Sequence, residues 1–128
     1  MRVLLLLICA LAFTAGVAYS AGSGNVTTAY AQKMIHDTKG LIVLDVRTAD
    51  EYKKGHLANA QLVDFYLPTF EQSLKMLPKS KPVLIYCKSG RRSANTLAIM
   101  QKLGFTMAYN MLGGFEAWSK EKRPSTTK

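Results

Sequence analysis

The sequence predicts an α/β fold in which one open, mainly parallel β-sheet carries helices on both faces. Short runs of apolar, branched residues alternate along the chain with segments whose apolar residues have helical spacing. The runs are apolar throughout, which is typical of parallel strands buried on both sides. After removal of a predicted leader, roughly 110 residues remain, enough for one domain with a single core.

The leader is predicted at residues 1–20, as a secretory signal peptide. A positive charge precedes the apolar run 3–13, and Ala18 and Ser20 are the small residues that a signal peptidase recognises. We therefore expect cleavage before Ala21 and a periplasmic or secreted protein without stable membrane insertion. A membrane anchor is the alternative, although the run is shorter than the roughly 20 residues of a span.

The first half of the domain begins after a lead-in at residues 21–26, which we expect to be flexible because glycine and serine are frequent there. Thr27 or Thr28 can cap the first helix, and Pro68 and Pro78 bound the third. The predicted elements are a helix over 29–36, a strand over 41–44, a helical turn over 49–54, a weak strand over 60–63 and a helix over 69–77.

The second half repeats the alternation and completes a domain predicted over residues 27–122. Gly104 occupies the usual position after the end of a helix, and a pair of glycines precedes the last one. The predicted elements are a strand over 83–86, a helix over 92–103, a strand over 107–112, a helix over 115–122 and a polar, disordered tail over 123–128.

Cys87 lies at the corner between the predicted strand 83–86 and the helix that follows. Backbone N–H groups and the positive end of the helix converge at such a corner. A cysteine at a helix N-terminus, or beside arginine and lysine, has a lowered pKa and reacts as a thiolate. We therefore expect Cys87 to be a nucleophile, and the polar, basic residues after it argue against burial in an apolar site.

Composition narrows the partners of this thiol. Cys9 lies in the predicted leader, so Cys87 has no partner for an internal disulfide. The net charge of +9 favours anions, but no aromatic residues interleave with a basic stripe, so we expect no nucleic-acid binding. Two isolated histidines and one cysteine form no recognisable metal site, and we expect no cofactor.

Three segments, in this order, resemble the rhodanese family. They are LDVR at 44–47 with GHLANA at 55–60, CKSGRRS at 87–93, and the stretch from Gly104 to Trp118 that contains LGGF. Together they extend over about residues 26–121. Asn59 departs from the pattern, because the family often has glycine there.

The resemblance implies a thiosulfate-type sulfurtransferase that works through a persulfide on Cys87. It implies a small anionic donor such as thiosulfate and an acceptor that is cyanide, a thiol or a protein. The implied active-site loop consists of Cys87, Lys88, Ser89, Gly90, Arg91, Arg92 and Ser93.

The loop residues have different expected roles. We expect backbone N–H groups from Lys88 through Ser93 to stabilise the sulfur anion, with Gly90 allowing the tight bend. Arg91 and Arg92 are expected to attract the donor and steady the leaving sulfite. Ser93 either caps the helix or donates to the persulfide.

Asp45 and Arg47 lie at the end of another predicted strand, and we interpret both as structural. Asp45 is expected to accept hydrogen bonds from loop N–H groups, and Arg47 to pair with Glu51 four residues on. His56 is expected to form local hydrogen bonds rather than to take part in catalysis.

Two other functions remain open from the residues. A sulfur carrier would receive sulfur on Cys87 from a protein partner and turn over little free thiosulfate. A cysteine phosphatase or arsenate reductase would need an arginine six positions after the cysteine, where this chain has Ser93. Its arginines follow Cys87 at offsets of four and five, which favours the tighter loop of a sulfurtransferase.

Overall fold

A computed structural model describes residues 23–128, so the predicted leader lies outside the described residues. Five strands and five helices alternate along this part of the chain. The strands are β1 Gly24–Val26, β2 Ile42–Asp45, β3 Gln61–Leu62, β4 Val83–Tyr86 and β5 Ala108–Met111. The helices are α1 Thr28–Asp37, α2 Ala49–Lys54, α3 Phe70–Lys75, α4 Arg91–Lys102 and α5 Gly114–Lys120.

The strands form one sheet in the order β1-β5-β4-β2-β3, and every neighbouring pair is parallel. The core strands β2 and β4 are fully buried, as their mainly apolar sequences predict, and the burial extends to Asp45 at the end of β2. Because they lie side by side and run in the same direction, the residues after Asp45 and Tyr86 emerge at the same edge of the sheet.

Helices cover both faces of the sheet, which confirms the predicted fold class. On one face, apolar residues of α3 and α4, including Leu74 and Met100, pack against Leu44 and Ile85. On the other face, Met34 of α1 and Trp118 of α5 belong to the second buried cluster. Within residues 23–128, no helix is both long and apolar enough to cross a bilayer.

Helix boundaries follow the capping residues. Thr27 accepts a hydrogen bond from the Tyr30 amide at 3.1 Å and begins α1. Thr48 and Glu51 form a reciprocal capping box at the start of α2. The helix predicted over 69–77 is shorter in the structure, since α3 ends at Lys75, two residues before Leu77.

The prediction of a flexible lead-in is wrong for residues 24–26, which form β1. They pair in parallel with residues 109–111 of β5, and the Val26 carbonyl accepts a hydrogen bond from the Leu112 amide at 2.9 Å. Main-chain pairing stabilises this strand, although its three residues carry no strand pattern of their own.

The prediction of a disordered tail is also wrong. The indole N–H of Trp118 donates to the Pro124 carbonyl at 2.9 Å. Thr126 forms an antiparallel bridge with His56, with N–O distances of 2.8 and 2.9 Å. The tail therefore packs back onto the domain despite its polar sequence.

Candidate active site

The Cys87 sulfur lies inside a ring of hydrogen-bond donors between β4 and α4. Its Sγ accepts from the Gly90 amide at 3.1 Å and from the Ser93 amide and hydroxyl at 3.4 and 3.3 Å. Gly90 is the residue before α4, and Ser93 lies in its first turn. Neutral donors directed at one sulfur stabilise its anionic form.

The expectation that Cys87 would not be buried in an apolar site is wrong. The residue has no exposed surface and belongs to the apolar cluster that contains Val46 and Leu97. Burial alone would raise the pKa of the thiol, but hydrogen bonds from Ser93, Gly90 and Ser89 together lower this pKa below its ordinary value. The hydrogen bonds therefore outweigh the effect of burial and stabilise the thiolate more than an ordinary cysteine environment does.

Ser93 contacts the sulfur rather than capping the helix. The N-cap residue of α4 is Gly90, which makes no side-chain cap and has a φ of 102°. A Cβ at this position would lie 3.3 Å from the Gly113 amide nitrogen, so glycine suits both the backbone conformation and the close approach.

The start of α5 supports the loop from the side. The Phe115 amide donates to the Cys87 carbonyl at 2.8 Å, and the Glu116 amide donates to the Lys88 carbonyl at 3.0 Å. Gly114 lies so close that a Cβ there would be 2.5 Å from both carbonyl oxygens. The last helix therefore fixes the backbone that carries the thiol.

The two arginines of the loop have different surroundings. Arg92 donates through both terminal nitrogens to the Glu51 carboxylate, at 2.9 Å each, and lies over the Tyr66 ring at 5.5 Å. Arg91 is exposed and, among the described residues, has no ion pair. Lys88 is 3.7 Å from exposed Glu116. Arg91 is thus the loop arginine whose charge is uncompensated.

Asp45 and Arg47 form a buried ion pair, so the predicted Arg47–Glu51 pair is wrong. Arg47 Nη2 lies 2.7 Å from Asp45 Oδ2, and the Arg47 amide donates to Asp45 Oδ1 at 2.9 Å. The Tyr86 hydroxyl donates to Asp45 Oδ2 at 2.6 Å. Asp45 therefore connects Arg47 to Tyr86 of the neighbouring strand β4.

The Asp45 carboxylate helps to raise the pKa of both side chains that contact it, Arg47 and Tyr86. Burial lowers the pKa of Arg47, but the hydrogen bond and charge of Asp45 outweigh it and raise this pKa overall. Burial first, and then the Asp45 charge, raise the pKa of Tyr86 far above its ordinary value. Arg47 therefore stays charged and Tyr86 stays neutral.

A cavity of about 970 Å³ opens beside the loop. Lys88, Ser89, Arg91 and Arg92 line it, and so does Arg47. The other lining residues are Glu51, Lys54, Phe65, Tyr66, Asn95, Phe115, Glu116 and Ser119. Among residues 23–128, no group of three or more His, Cys, Asp or Glu residues is placed to hold a metal ion.

Sequence reasoning missed three residues beside this cavity. Glu51 carries a local signal, the Thr48–Glu51 capping box, but nothing local indicates its contact with Arg92, 41 positions away. Tyr66 follows a two-residue strand in an irregular segment, where no periodicity identifies a cavity wall. Phe115 is half-buried against the second core cluster, and its ring centroid lies 4.3 Å from the guanidinium carbon of Arg47, a contact that no local pattern indicates.

The sequence is similar to those of proteins named as sulfurtransferases. The chain is 33% identical over 107 residues to the probable adenylyltransferase/sulfurtransferase MoeZ of Mycobacterium tuberculosis, a match covering 84% of this chain and 27% of MoeZ. It is 32% identical over 80 residues to the thiosulfate sulfurtransferase GlpE of Coxiella burnetii, covering 62% and 73% of the two chains. The chain thus spans about a quarter of MoeZ and most of GlpE.

The fold has relatives among solved structures. A rhodanese-related protein of Thermoplasma volcanium superposes with a TM-score of 0.72 at 26% identity, over 81% of this chain and 98% of that one. The names of the MoeZ and GlpE relatives support sulfur transfer as the general activity. The model of the rhodanese-like domain matches residues 27–121, and the chain therefore belongs to the rhodanese-like domain family.

Proposed function

We propose that this protein is a thiosulfate sulfurtransferase that carries sulfane sulfur on Cys87. The observation that carries the proposal is the set of N–H and O–H donors around Sγ at 3.1 to 3.4 Å. Such donors stabilise a thiolate or a persulfide without rearranging during the reaction. The name of the GlpE relative supports thiosulfate as the donor.

The proposed reaction has two steps. The Cys87 thiolate attacks the outer sulfur of thiosulfate, a new S–S bond forms on Sγ, and sulfite leaves with the electron pair of the broken S–S bond. An acceptor, cyanide or a thiol, then attacks the terminal sulfur and releases the thiolate. Neither step requires a metal or an organic cofactor.

The donor approaches through the basic cavity. Arg91 is the uncompensated loop arginine, so it is the first candidate to bind the anion, with Lys88 beside it. Since Cys87 has no exposed surface, side chains between the cavity and Sγ must move apart to admit the donor. Lys88 and Ser89, which follow the cysteine, already line the cavity.

Treatment with thiosulfate followed by mass analysis tests the proposal. We expect a gain of about 32 Da on Cys87 that cyanide removes as thiocyanate, and we expect Cys87→Ala to abolish both the gain and thiocyanate production. An unmodified wild-type protein without turnover would contradict the proposal. A persulfide without turnover would instead identify a sulfur carrier, and Cys87-dependent hydrolysis of a phosphate ester would identify a phosphatase.

A further inference from the structure

Glu51 and Arg92 form a bidentate ion pair that lines the cavity beside the Cys87 loop. Nη1 donates to Oε1 and Nη2 to Oε2, each at 2.9 Å. Their side chains are 28% and 14% exposed, so water screens the pair only in part. The pair joins α2 to the first turn of α4, the helix that bears Ser93.

Thr48, as well as Arg92, holds the Glu51 carboxylate in place. The amide and hydroxyl of Thr48 both donate to Oε1, at 3.3 and 3.1 Å. The hydrogen bond from Arg92 lowers the pKa of Glu51 to about 2, so the carboxylate is ionised throughout the neutral range. The pair therefore contributes no net charge to the cavity.

Arg92 would otherwise be a strong anion site. It lies close enough to Cys87 for the sulfur's charge to raise the pKa of its guanidinium, after the larger effect of Glu51. Arg47 also lines the cavity, but it is paired with Asp45. With Arg92 paired to Glu51 as well, the cations left on the cavity wall are Lys54, Lys88 and Arg91, and Lys88 is near Glu116. Glu51 thus determines whether one further positive charge faces the sulfur.

We propose that Glu51 determines how strongly the reaction of Cys87 depends on the charge of the reactant. By neutralising Arg92 on the cavity wall, Glu51 limits the preference of the site for doubly charged reactants over singly charged and neutral ones. The part that concerns thiosulfate rests on the function proposed above. Electrostatic energy is proportional to the charge of the reactant. A change in pocket charge therefore alters the rate for a dianion by the square of the factor for a monoanion, and leaves a neutral reactant unaffected.

Three reagents of different charge test this relation on Cys87. Iodoacetamide is neutral, iodoacetate carries one negative charge and thiosulfate carries two. The ratio of any two rates cancels the thiolate fraction. For Glu51→Gln we expect the iodoacetate-to-iodoacetamide ratio to rise about 3-fold and the thiosulfate-to-iodoacetamide ratio about 10-fold. Glutamine can keep the capping interaction with Thr48, which preserves α2.

Companion variants separate charge from structure. Arg92→Gln leaves Glu51 unpaired, so we expect both ratios to fall by similar factors. In the double variant the pocket charge equals that of the wild type, and the ratios should return to within about 2-fold of it. Glu71→Gln removes the same charge from an exposed pair with Lys75 outside the cavity and should leave both ratios unchanged.

The outcomes are distinct. Ratios that rise for Glu51→Gln, fall for Arg92→Gln and return in the double variant support the proposal. Ratios that stay constant, or fall in all three variants, would overturn it and assign Glu51 a purely structural role. The alkylation ratios do not depend on sulfur transfer. If they follow the expected order while thiosulfate gives no persulfide, the proposed function fails and the charge-selectivity proposal stands.

Discussion

Ser93 is the side chain that most directly controls the Cys87 thiol. Cys87 combines two opposing influences, since complete burial disfavours its anion whereas amide and hydroxyl donors favour it. Ser93 supplies two of those donors, through its amide and its Oγ. Only the hydroxyl can be removed by substitution without altering the backbone.

Ser93→Ala is therefore expected to raise the pKa of the Cys87 thiol, because it removes a hydrogen bond to the thiolate, and such a bond to a charged acceptor contributes about 1.5 kcal/mol. The measurement is the pH dependence of iodoacetamide alkylation. In the folded wild type its midpoint should lie below that of the denatured protein. Ser80→Ala, in an exposed connector, is the matched control. An unchanged midpoint in Ser93→Ala would show that the hydroxyl does not stabilise the thiolate.

Loop residues that donate hydrogen bonds to the Cys87 sulfur were expected from the sequence, whereas the ion pairs beside the loop were not. The Arg47–Glu51 pair assumed helical spacing, but α2 begins only at Ala49, so Arg47 lies outside the helix and turns back to Asp45. Glu51 is then available to Arg92. Pairings of this kind depend on how α2 and α4 pack, which no local pattern specifies.

At the scale of elements, helix α5 holds the active-site loop in place through backbone hydrogen bonds. The first amides of α5 bind the carbonyls of Cys87 and Lys88, and Gly114 has a φ of 59° where the two segments meet. A side chain there would conflict both with this backbone conformation and with the neighbouring carbonyls. The position of the thiol thus depends on a helix that begins 27 residues later in the sequence.

Gly114→Ala is expected to destabilise the protein by about 3 kcal/mol or more, since backbone strain and overpacking each cost roughly 1 to 3 kcal/mol. Urea unfolding measures this change, and native alkylation of Cys87 reports displacement of the loop. Gly24→Ala is the control, because a Cβ at Gly24 meets no atom within 4 Å. Equal stability of the two variants would contradict the close approach.

For elements, prediction succeeded where the chain carries its own boundary signals. Thr27, Pro78 and Gly104 place the start of α1 and the ends of α3 and α4 within a residue or two of those observed. It failed for β1, because a three-residue strand is defined by its pairing with β5. The same limit applies to the order β1-β5-β4-β2-β3, which depends on long-range contacts between strands.

At the scale of the whole molecule, the polar tail packs against the rest of the domain, although the sequence predicted it to be disordered. Thr126 exchanges two main-chain hydrogen bonds with His56, and Pro124 satisfies the buried indole N–H of Trp118. His56 is itself buried, stacks on Tyr52 at 3.6 Å and contacts its carbonyl through Nδ1 at 2.9 Å. The Nδ1 contact is the local hydrogen bond expected for His56, whereas its Nε2 lies 2.9 Å from the Lys128 carbonyl oxygen and so links the tail to α2.

Removal of residues 124–128 is therefore expected to lower the free energy of unfolding by about 2 to 6 kcal/mol. Four hydrogen bonds of about 0.5 to 1.5 kcal/mol each are lost: two between the main chains of Thr126 and His56, one from the Trp118 N–H to the Pro124 carbonyl, and one between His56 Nε2 and the Lys128 carbonyl. Urea unfolding monitored by the fluorescence of Trp118 measures both effects, because the indole becomes exposed. Thr127→Ala changes an exposed tail residue and should shift stability by less than about 0.5 kcal/mol. If the truncated protein were as stable as this control, the contacts of the tail would contribute nothing to the stability of the domain.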